Sequence, residues 1–170
     1  MTAALALGSN LPSTFGPPEA NLREALHRLA SLGRVTAVSS FHATDPVGYL
    51  DQPRFLNAAA LLDTSLSPLD LLHALLTIEQ AMGRDRSKDR ANAPAKGPRI
   101  IDLDLLLYTH ADGRSEVLSH PDLTLPHPAM HDRRFVLAPL TEIAPNLLHP
   151  TQHRTIADLL GHLPKTATAP

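Results

Sequence analysis

The 170-residue chain has no cysteine and no tryptophan, and only four phenylalanines and two tyrosines. Without cysteine it can form no disulfide, no zinc–thiolate centre and no thiol nucleophile. With aromatics at 4% of residues, its core has to be built mostly from Leu, Ala, Val and Ile. No stretch approaches the roughly 20 apolar residues of a membrane span. The start, Met1-Thr2-Ala3-Ala4-Leu5, lacks a basic leader, so a cytoplasmic protein with no membrane partner is expected. Fifteen Lys and Arg against 17 Asp and Glu leave a net charge of −2, without the basic excess that general nucleic-acid binding uses. Neither Gly-x-x-x-x-Gly-Lys-Ser/Thr nor Gly-x-Gly-x-x-Gly occurs, so any nucleotide has to be held by side chains and metal rather than by a glycine-rich phosphate loop. The protein-kinase signatures are missing as well.

Proline, by contrast, is abundant at sixteen residues. The clusters Pro17-Pro18, Pro94 with Pro98, and Pro126 with Pro128 read as ordered but irregular loops. The length suits one domain over residues 1–164, followed by a disordered tail over 165–170.

Residues 3–8 are an apolar run ending in Gly8-Ser9-Asn10, a buried strand and a turn. Pro17-Pro18-Glu19 opens a helix with Leu22, Ala25, Leu26 and Leu29 on one stripe and Gly33 as its C-cap. Val35 to Phe41 reads as a second strand, Thr44 to Pro53 as a loop, and Arg54 to Thr64 as a third strand. Ser67 caps a helix with Pro68 at its first position and Asp70 in its first turn. This helix runs through Leu71, Leu75, Ile78 and Met82 to Gly83, and Glu79 falls on it within reach of the loop that follows. A basic loop, Arg84 to Arg99, leads into a fourth strand from Ile100 to Tyr108. Helices near Arg134–Ile143 and Thr155–Leu163 complete the chain. The order strand, helix, strand, strand, helix, strand predicts an α+β, ferredoxin-like fold, an antiparallel sheet with helices on one face plus C-terminal helical additions.

The chemistry concentrates in Arg99-Ile100-Ile101-Asp102-Leu103-Asp104-Leu105-Leu106-Leu107. Alternation on a strand turns Ile101, Leu103, Leu105 and Leu107 to the core and Asp102 and Asp104 to the other face, their Cα atoms about 6.6 Å apart. Solvent would accommodate such a pair on an exposed edge. On a half-buried face it needs a cation or paired donors, and magnesium prefers carboxylate oxygens together with substrate phosphates. The preceding loop holds six cations (Arg84, Arg86, Lys88, Arg90, Lys96 and Arg99) against Asp85 and Asp89, a local charge of +4. Arginines beside a metal site suit polyphosphate, whose oxygens they bind bidentately. Phe55 and Asn57 share a strand face, an aromatic plate and an amide that suit a flat heterocycle.

Four blocks occur in order: Leu7-Gly8-Ser9-Asn10-Leu11, Asp51-Gln52-Pro53-Arg54-Phe55-Leu56-Asn57-Ala58, Gly97-Pro98-Arg99-Ile100-Ile101-Asp102-Leu103-Asp104-Leu105, and Leu125-Pro126-His127-Pro128 running on to Arg133 and Phe135. Through them the chain resembles the 6-hydroxymethyl-7,8-dihydropterin pyrophosphokinases from about Ala4 to Leu163. The resemblance implies a ferredoxin-like fold and a reaction of folate biosynthesis. ATP is the co-substrate and two magnesium ions assist. The pterin hydroxymethyl oxygen attacks the β-phosphorus and AMP leaves. It assigns Asp102 and Asp104 to the metal and Arg84, Arg86 and Arg99 to the triphosphate or the transferring group. Leu105, Thr124, His127 and Arg133 match nucleotide-contacting positions, and Thr44, Val47, Phe55, Asn57 and Phe135 match the pterin pocket. Many family members carry a basic residue and often Trp just before Gly-Pro-Arg. Ala95 and Lys96 stand there instead, the loop is longer than in compact members, and Arg90 or Lys96 are candidates to replace the lid electrostatically. The expected partners are ATP and the pterin alone, and the expected unit is a stand-alone monomer. Two other readings use the same features: a ligand-binding ferredoxin-like regulatory domain that makes no AMP, and a metal-dependent nuclease or nucleotidyl enzyme, which would need a basic groove for its polymer.

Overall fold

The computed structural model describes residues 1–84 and 97–164. In chain order its elements are β1 (Thr2–Ser9), α1 (Pro18–Leu29), β2 (Arg34–Val38), β3 (His42–Thr44), β4 (Phe55–Asp63), α2 (Pro68–Ala81), β5 (Asp102–Thr109), β6 (Leu118–Ser119) and β7 (Thr124–Leu125). A 3-10 turn at Met130–Asp132, α3 (Arg134–Ile143), the hairpin β8 (Leu148–His149) and β9 (Arg154–Thr155), and α4 (Ile156–His162) follow.

β2, β4, β1 and β5 lie side by side in that order, with β3 pairing the same strand, β4, as β2 does, and every pairing is antiparallel. This is the strand order of a ferredoxin-like sheet, reached because each helix crosses one strand position. α1 and α2 cover one face. Leu22, Ala25 and Leu29 of α1 and Leu71, Leu75 and Ile78 of α2 pack on Leu5, Leu7, Leu62, Ile101, Leu103 and Leu105. The C-terminal helices take the opposite face, where Leu137, Leu140, Ile156 and Leu159 pack on Ala4, Ala59, Leu106 and Leu107. No helix among the described residues is long and apolar enough to cross a membrane.

Local chemistry explains most element ends. Ser67 caps α2 by accepting the Asp70 N–H, and Thr155 and Asp158 form a reciprocal capping box on α4. Three expectations are corrected. The strand expected over Val35 to Phe41 splits into β2 and β3, and Thr44 belongs to β3 rather than to the loop. The split falls at Ser39, whose hydroxyl accepts the Ala59 N–H in place of a ladder carbonyl. α1 ends at Leu29 with Ala30 as C-cap. Gly33 instead lets the chain pass close to β4, since a Cβ there would sit 2.1 Å from the Asp63 carbonyl oxygen. Finally, Leu107 does not share the face of Leu105. The β1–β5 register shifts between Ala4 and Leu5, so Leu106 and Leu107 both reach the C-terminal helices while Tyr108 returns to the α1–α2 core. The expected tail over 165–170 and most of the basic loop, residues 85–96, lie outside the described residues.

Candidate active site

Asp102 and Asp104 point to the same sheet face, the one shared with the C-terminal helices, at the end of the sheet those helices leave open. The register aligns His42, Asn57, Gly8 and Asp102 in one row across four strands, with Ala59, Ala6 and Asp104 in a parallel row. Facing residues of an antiparallel pair project to one side, so Gly8 and Ala6 form a floor of minimal height between the amide of Asn57 and the two carboxylates. A Cβ on Gly8 would stand 3.2 Å from Asn57 Oδ1 and 3.9 Å from Asp102 Cβ. The gap at Gly8 is therefore what keeps the floor open.

Two arginines converge on Asp102. Arg84 donates to Oδ1, and Arg99 donates to Oδ2 at 2.5 Å. Arg84 also donates to Glu79 Oε1 at 2.7 Å and to the Ile101 carbonyl at 3.2 Å. Glu79 is 1% exposed and accepts the Leu103 N–H as well, at 2.8 Å. The end of α2 and the start of β5 are thus joined through a buried ionic network. Burial opposes the ionisation of Asp102, but the Arg99 and Arg84 guanidiniums outweigh it and hold this carboxyl below its usual range. Asp104 is shifted the opposite way. Burial raises it, the Asp102 charge raises it further, and His127, Arg133 and Arg84 offset only part. Burial also lowers the His127 ring below its ordinary value, against the pull of Asp104. His127 Nδ1 accepts the Ala129 N–H at 3.3 Å, so the neutral ring carries its proton on Nε2.

The register shift in β5 positions His127 as well, because the carbonyl of Leu106 accepts the His127 N–H at 2.9 Å. The 3-10 turn that follows delivers Arg133, whose carbonyl accepts the Val136 and Leu137 N–H groups at the start of α3. Two aromatic rings frame the site, each beneath a guanidinium: Arg99 lies 5.7 Å from the centroid of Phe55 and Arg133 5.8 Å from that of Phe135. Among the described residues no cluster of three or more His, Asp or Glu side chains could enclose a metal. Two carboxylates, one of them strained towards protonation by burial and its neighbour, fit magnesium, which completes its shell with phosphate oxygens and water.

The family model for 7,8-dihydro-6-hydroxymethylpterin-pyrophosphokinase matches residues 4–145. The chain belongs to this family. It is 43% identical over 160 residues to the 2-amino-4-hydroxy-6-hydroxymethyldihydropteridine pyrophosphokinase of Pseudomonas aeruginosa, covering 94% of this chain and 90% of that protein. It is 40% identical over 162 residues to the folic acid synthesis protein fol1 of Schizosaccharomyces pombe, where it covers 95% of this chain and spans only 20% of the longer protein. Among solved structures, a Plasmodium falciparum HPPK-DHPS mutant bound to SDX-DHP superposes with a TM-score of 0.67 at 17% identity, over 94% of this chain and 44% of that one. That likeness shows the shared fold.

Within this pyrophosphokinase fold the expected residues are distributed as follows. Arg84, Arg99, Asp102, Asp104, His127, Arg133, Phe55 and Asn57 gather around the open half of the sheet face. Thr44 joins them, its hydroxyl accepting the Asn57 amide at 2.7 Å. Phe135 sits at the start of α3, packed on the second core. Val47 is exposed in the loop before β4, and Thr124 is exposed on β7. Leu105 turns its side chain into the α1–α2 core, and its backbone lies in the plane of the sheet on the edge strand β5. Arg86, Arg90 and Lys96 lie outside the described residues. Asn10, expected in a turn and in the first motif block but with no assigned role, is structurally central. It is 1% exposed and ties three segments, donating to Gln52 Oε1 and the Pro53 carbonyl at 3.0 Å and accepting the Arg99 N–H at 2.7 Å. Its place in the Gly8-Ser9-Asn10 block was the available signal. A recess of about 670 Å³ opens at the far end of β1 and β4, beside Met1, Thr2, Asp63 and His110. Its acid is already satisfied, since Asp63 accepts from Thr2 at 2.8 Å and Arg34 at 3.0 Å.

Proposed function

We propose that this chain transfers the diphosphate of ATP to the hydroxymethyl group of 6-hydroxymethyl-7,8-dihydropterin, giving AMP and the pterin diphosphate, a step of folate synthesis. The observation that carries this reading is the row Asn57, Gly8, Asp102 with Asp104 beside it, an amide and a carboxylate pair facing each other across a side-chain-free gap on the open half of the sheet. The substrate oxygen forms a bond to the β-phosphorus, the bond from that phosphorus to the α–β bridging oxygen breaks, AMP leaves with that oxygen, and the hydroxyl proton passes to solvent water. Nothing in this requires a protein nucleophile.

In this reading Asp102 and Asp104 hold magnesium, two ions in all, which supplies charge neutralisation to the triphosphate and to the displacement. Arg84, Arg99 and Arg86 bind phosphate oxygens, and the first two already project into the site through their pairing with Asp102. His127, neutral because it is buried, presents Nε2–H as a donor without adding a full charge. Arg133, Thr124 and the backbone of Leu105 complete the nucleotide contacts. Phe55 and Phe135 stack the pterin, Asn57 reads its hydrogen-bonding edge, and Thr44 and Val47 close the pocket from β3 and its loop. The working unit in this reading is a monomer acting in the cytoplasm, the compartment that supplies ATP. Incubation with ATP, magnesium and the hydroxymethyl pterin tests the assignment: AMP release should depend on the pterin. Asp102→Ala and Asp104→Ala should each lower it at least about a hundredfold while circular dichroism at the assay temperature shows the fold retained. Near-normal AMP release from either variant defeats the reading.

A further inference from the structure

Glu142, in the last turn of α3, is the centre of a hydrogen-bond cluster that spans 102 residues of chain. It accepts the Ser40 backbone N–H at 2.7 Å, the Ser40 hydroxyl at 2.7 and 2.8 Å to its two oxygens, and His42 Nε2 at 2.6 Å. Serine, histidine and glutamate in mutual contact invite comparison with a nucleophilic triad. Here the carboxylate binds the same ring nitrogen that approaches the serine, at 3.2 Å, and also binds the serine itself. A triad needs the carboxylate on the other ring nitrogen, so this cluster has no relay and serves as an anchor.

We infer that Glu142 is a positioning residue for pterin recognition, fixing β3 against α3 so that the two walls of the pocket keep their spacing. The inference rests on the pterin roles proposed above for Thr44, Asn57 and Phe135. β3 has three residues and, among the described residues, pairs with β4, so its ladder alone gives it little hold. The anchor grips it at its start: Ser40 lies in the break between β2 and β3, and His42 is the first residue of β3. Thr44, two residues on from His42, projects to the same face and receives the Asn57 amide. A displaced β3 therefore releases the group proposed to read the pterin edge. On the other side Phe135 lies seven residues before Glu142 on one continuous helix, about 10 Å along its axis. The Ser40 hydroxyl and backbone N–H hold the Glu142 carboxyl below its usual range, so it accepts these bonds as an anion. Its partners are partly open to water, with side chains 29% and 38% exposed for His42 and Glu142. Polar contacts between such partly exposed side chains add little to global stability. Their loss should change pocket geometry more than it changes the melting temperature.

The test combines Glu142→Ala, His42→Phe and the conservative Glu142→Gln. ATP and pterin are varied separately in steady state, and amide hydrogen exchange is followed over residues 40–44. Glu142→Ala should raise the KM for pterin about tenfold, within the range that small misplacements of a substrate produce. It should leave the KM for ATP within about twofold, with faster exchange in β3. Glu142→Gln should fall between it and the unsubstituted enzyme, and His42→Phe should follow Glu142→Ala in weaker form. An unchanged pterin KM in Glu142→Ala beside normal turnover of the unsubstituted enzyme overturns this inference alone, as does an equal rise in both KM values. Absence of pterin-dependent AMP from the unsubstituted enzyme overturns the functional reading and this inference with it.

Discussion

At the scale of single residues, the opposed shifts of Asp102 and Asp104 have a consequence for stability. Asp104 sits above its unfolded value because burial and then the Asp102 charge disfavour its anion. Below the unfolded pKa both states are protonated and the shift contributes nothing. As pH rises through the folded pKa, the native state has to bear a buried, repelled carboxylate that the unfolded chain carries freely, and stability falls. Asp104→Asn removes that burden and keeps the shape. In the absence of magnesium the variant should melt a few degrees higher than the unsubstituted protein at neutral pH, and the gain should vanish near pH 3. Thermal scans of both proteins across pH check this, and equal melting temperatures at neutral pH would show that Asp104 carries no such burden. Asp102 behaves in the opposite sense. Its folded pKa is depressed by Arg99 and Arg84 against the effect of burial, so its contribution is present above the unfolded value and is lost as pH falls through the folded one. The carboxylate pair itself was legible from Asp-x-Asp on a strand. The opposite directions of the two shifts were not, because they depend on which arginines reach which acid.

At the scale of elements, α3 links the second core to the site. Leu137 is fully buried against the sheet, and the same helix carries Phe135 at its second position. Leu137→Ala should cost about 2–5 kcal/mol, the range for truncating a buried leucine. Urea unfolding checks it: the midpoint should fall with an unchanged slope. A loss under about 1 kcal/mol would mean that α3 is held mainly by its polar anchors. Element types were largely legible, because a cap such as Ser67 with Asp70, or an apolar stripe such as Leu71, Leu75 and Ile78, is a local pattern. The misreadings arose where a neighbouring strand intervened. Alternation placed Leu107 with Leu105, but the register shift opposite Ala4 and Leu5 sends Leu106 and Leu107 to one face. That shift also brings the Leu106 carbonyl to the His127 N–H. Nothing in the local sequence Leu105-Leu106-Leu107 distinguishes a regular strand from a bulged one.

At the scale of the whole molecule, the described residues form a sheet covered by helices on one face and half covered on the other, with carboxylates, guanidiniums and rings around the remaining half-face. The net charge of −2 offers no general attraction for polyphosphate, so binding has to come from this local arrangement. Ligands that bind only the folded state raise its melting temperature by mass action. Magnesium and ATP together should raise it by more than the sum of their separate effects, since each completes the other's site. In Asp104→Asn the joint gain should shrink towards that of ATP alone. Scanning fluorimetry with each ligand and with both reads this directly, and a full shift from ATP alone would place the nucleotide away from the acid pair.

The sequence by itself determined the helices, the long strands of the main sheet, the acid pair on one face of a strand and the family, because periodicity, caps and ordered motif blocks are properties of short segments read one at a time. The tertiary structure alone decided that Gly8 is the gap between Asn57 and Asp102. It also decided that Asn10 joins three loops, that Arg84 and Arg99 share one carboxylate, and that Glu142 grips Ser40 and His42. Each of these depends on residues distant in the chain meeting across a sheet whose strand order and register are set by packing, and packing is a sum over the whole molecule rather than a property of any segment.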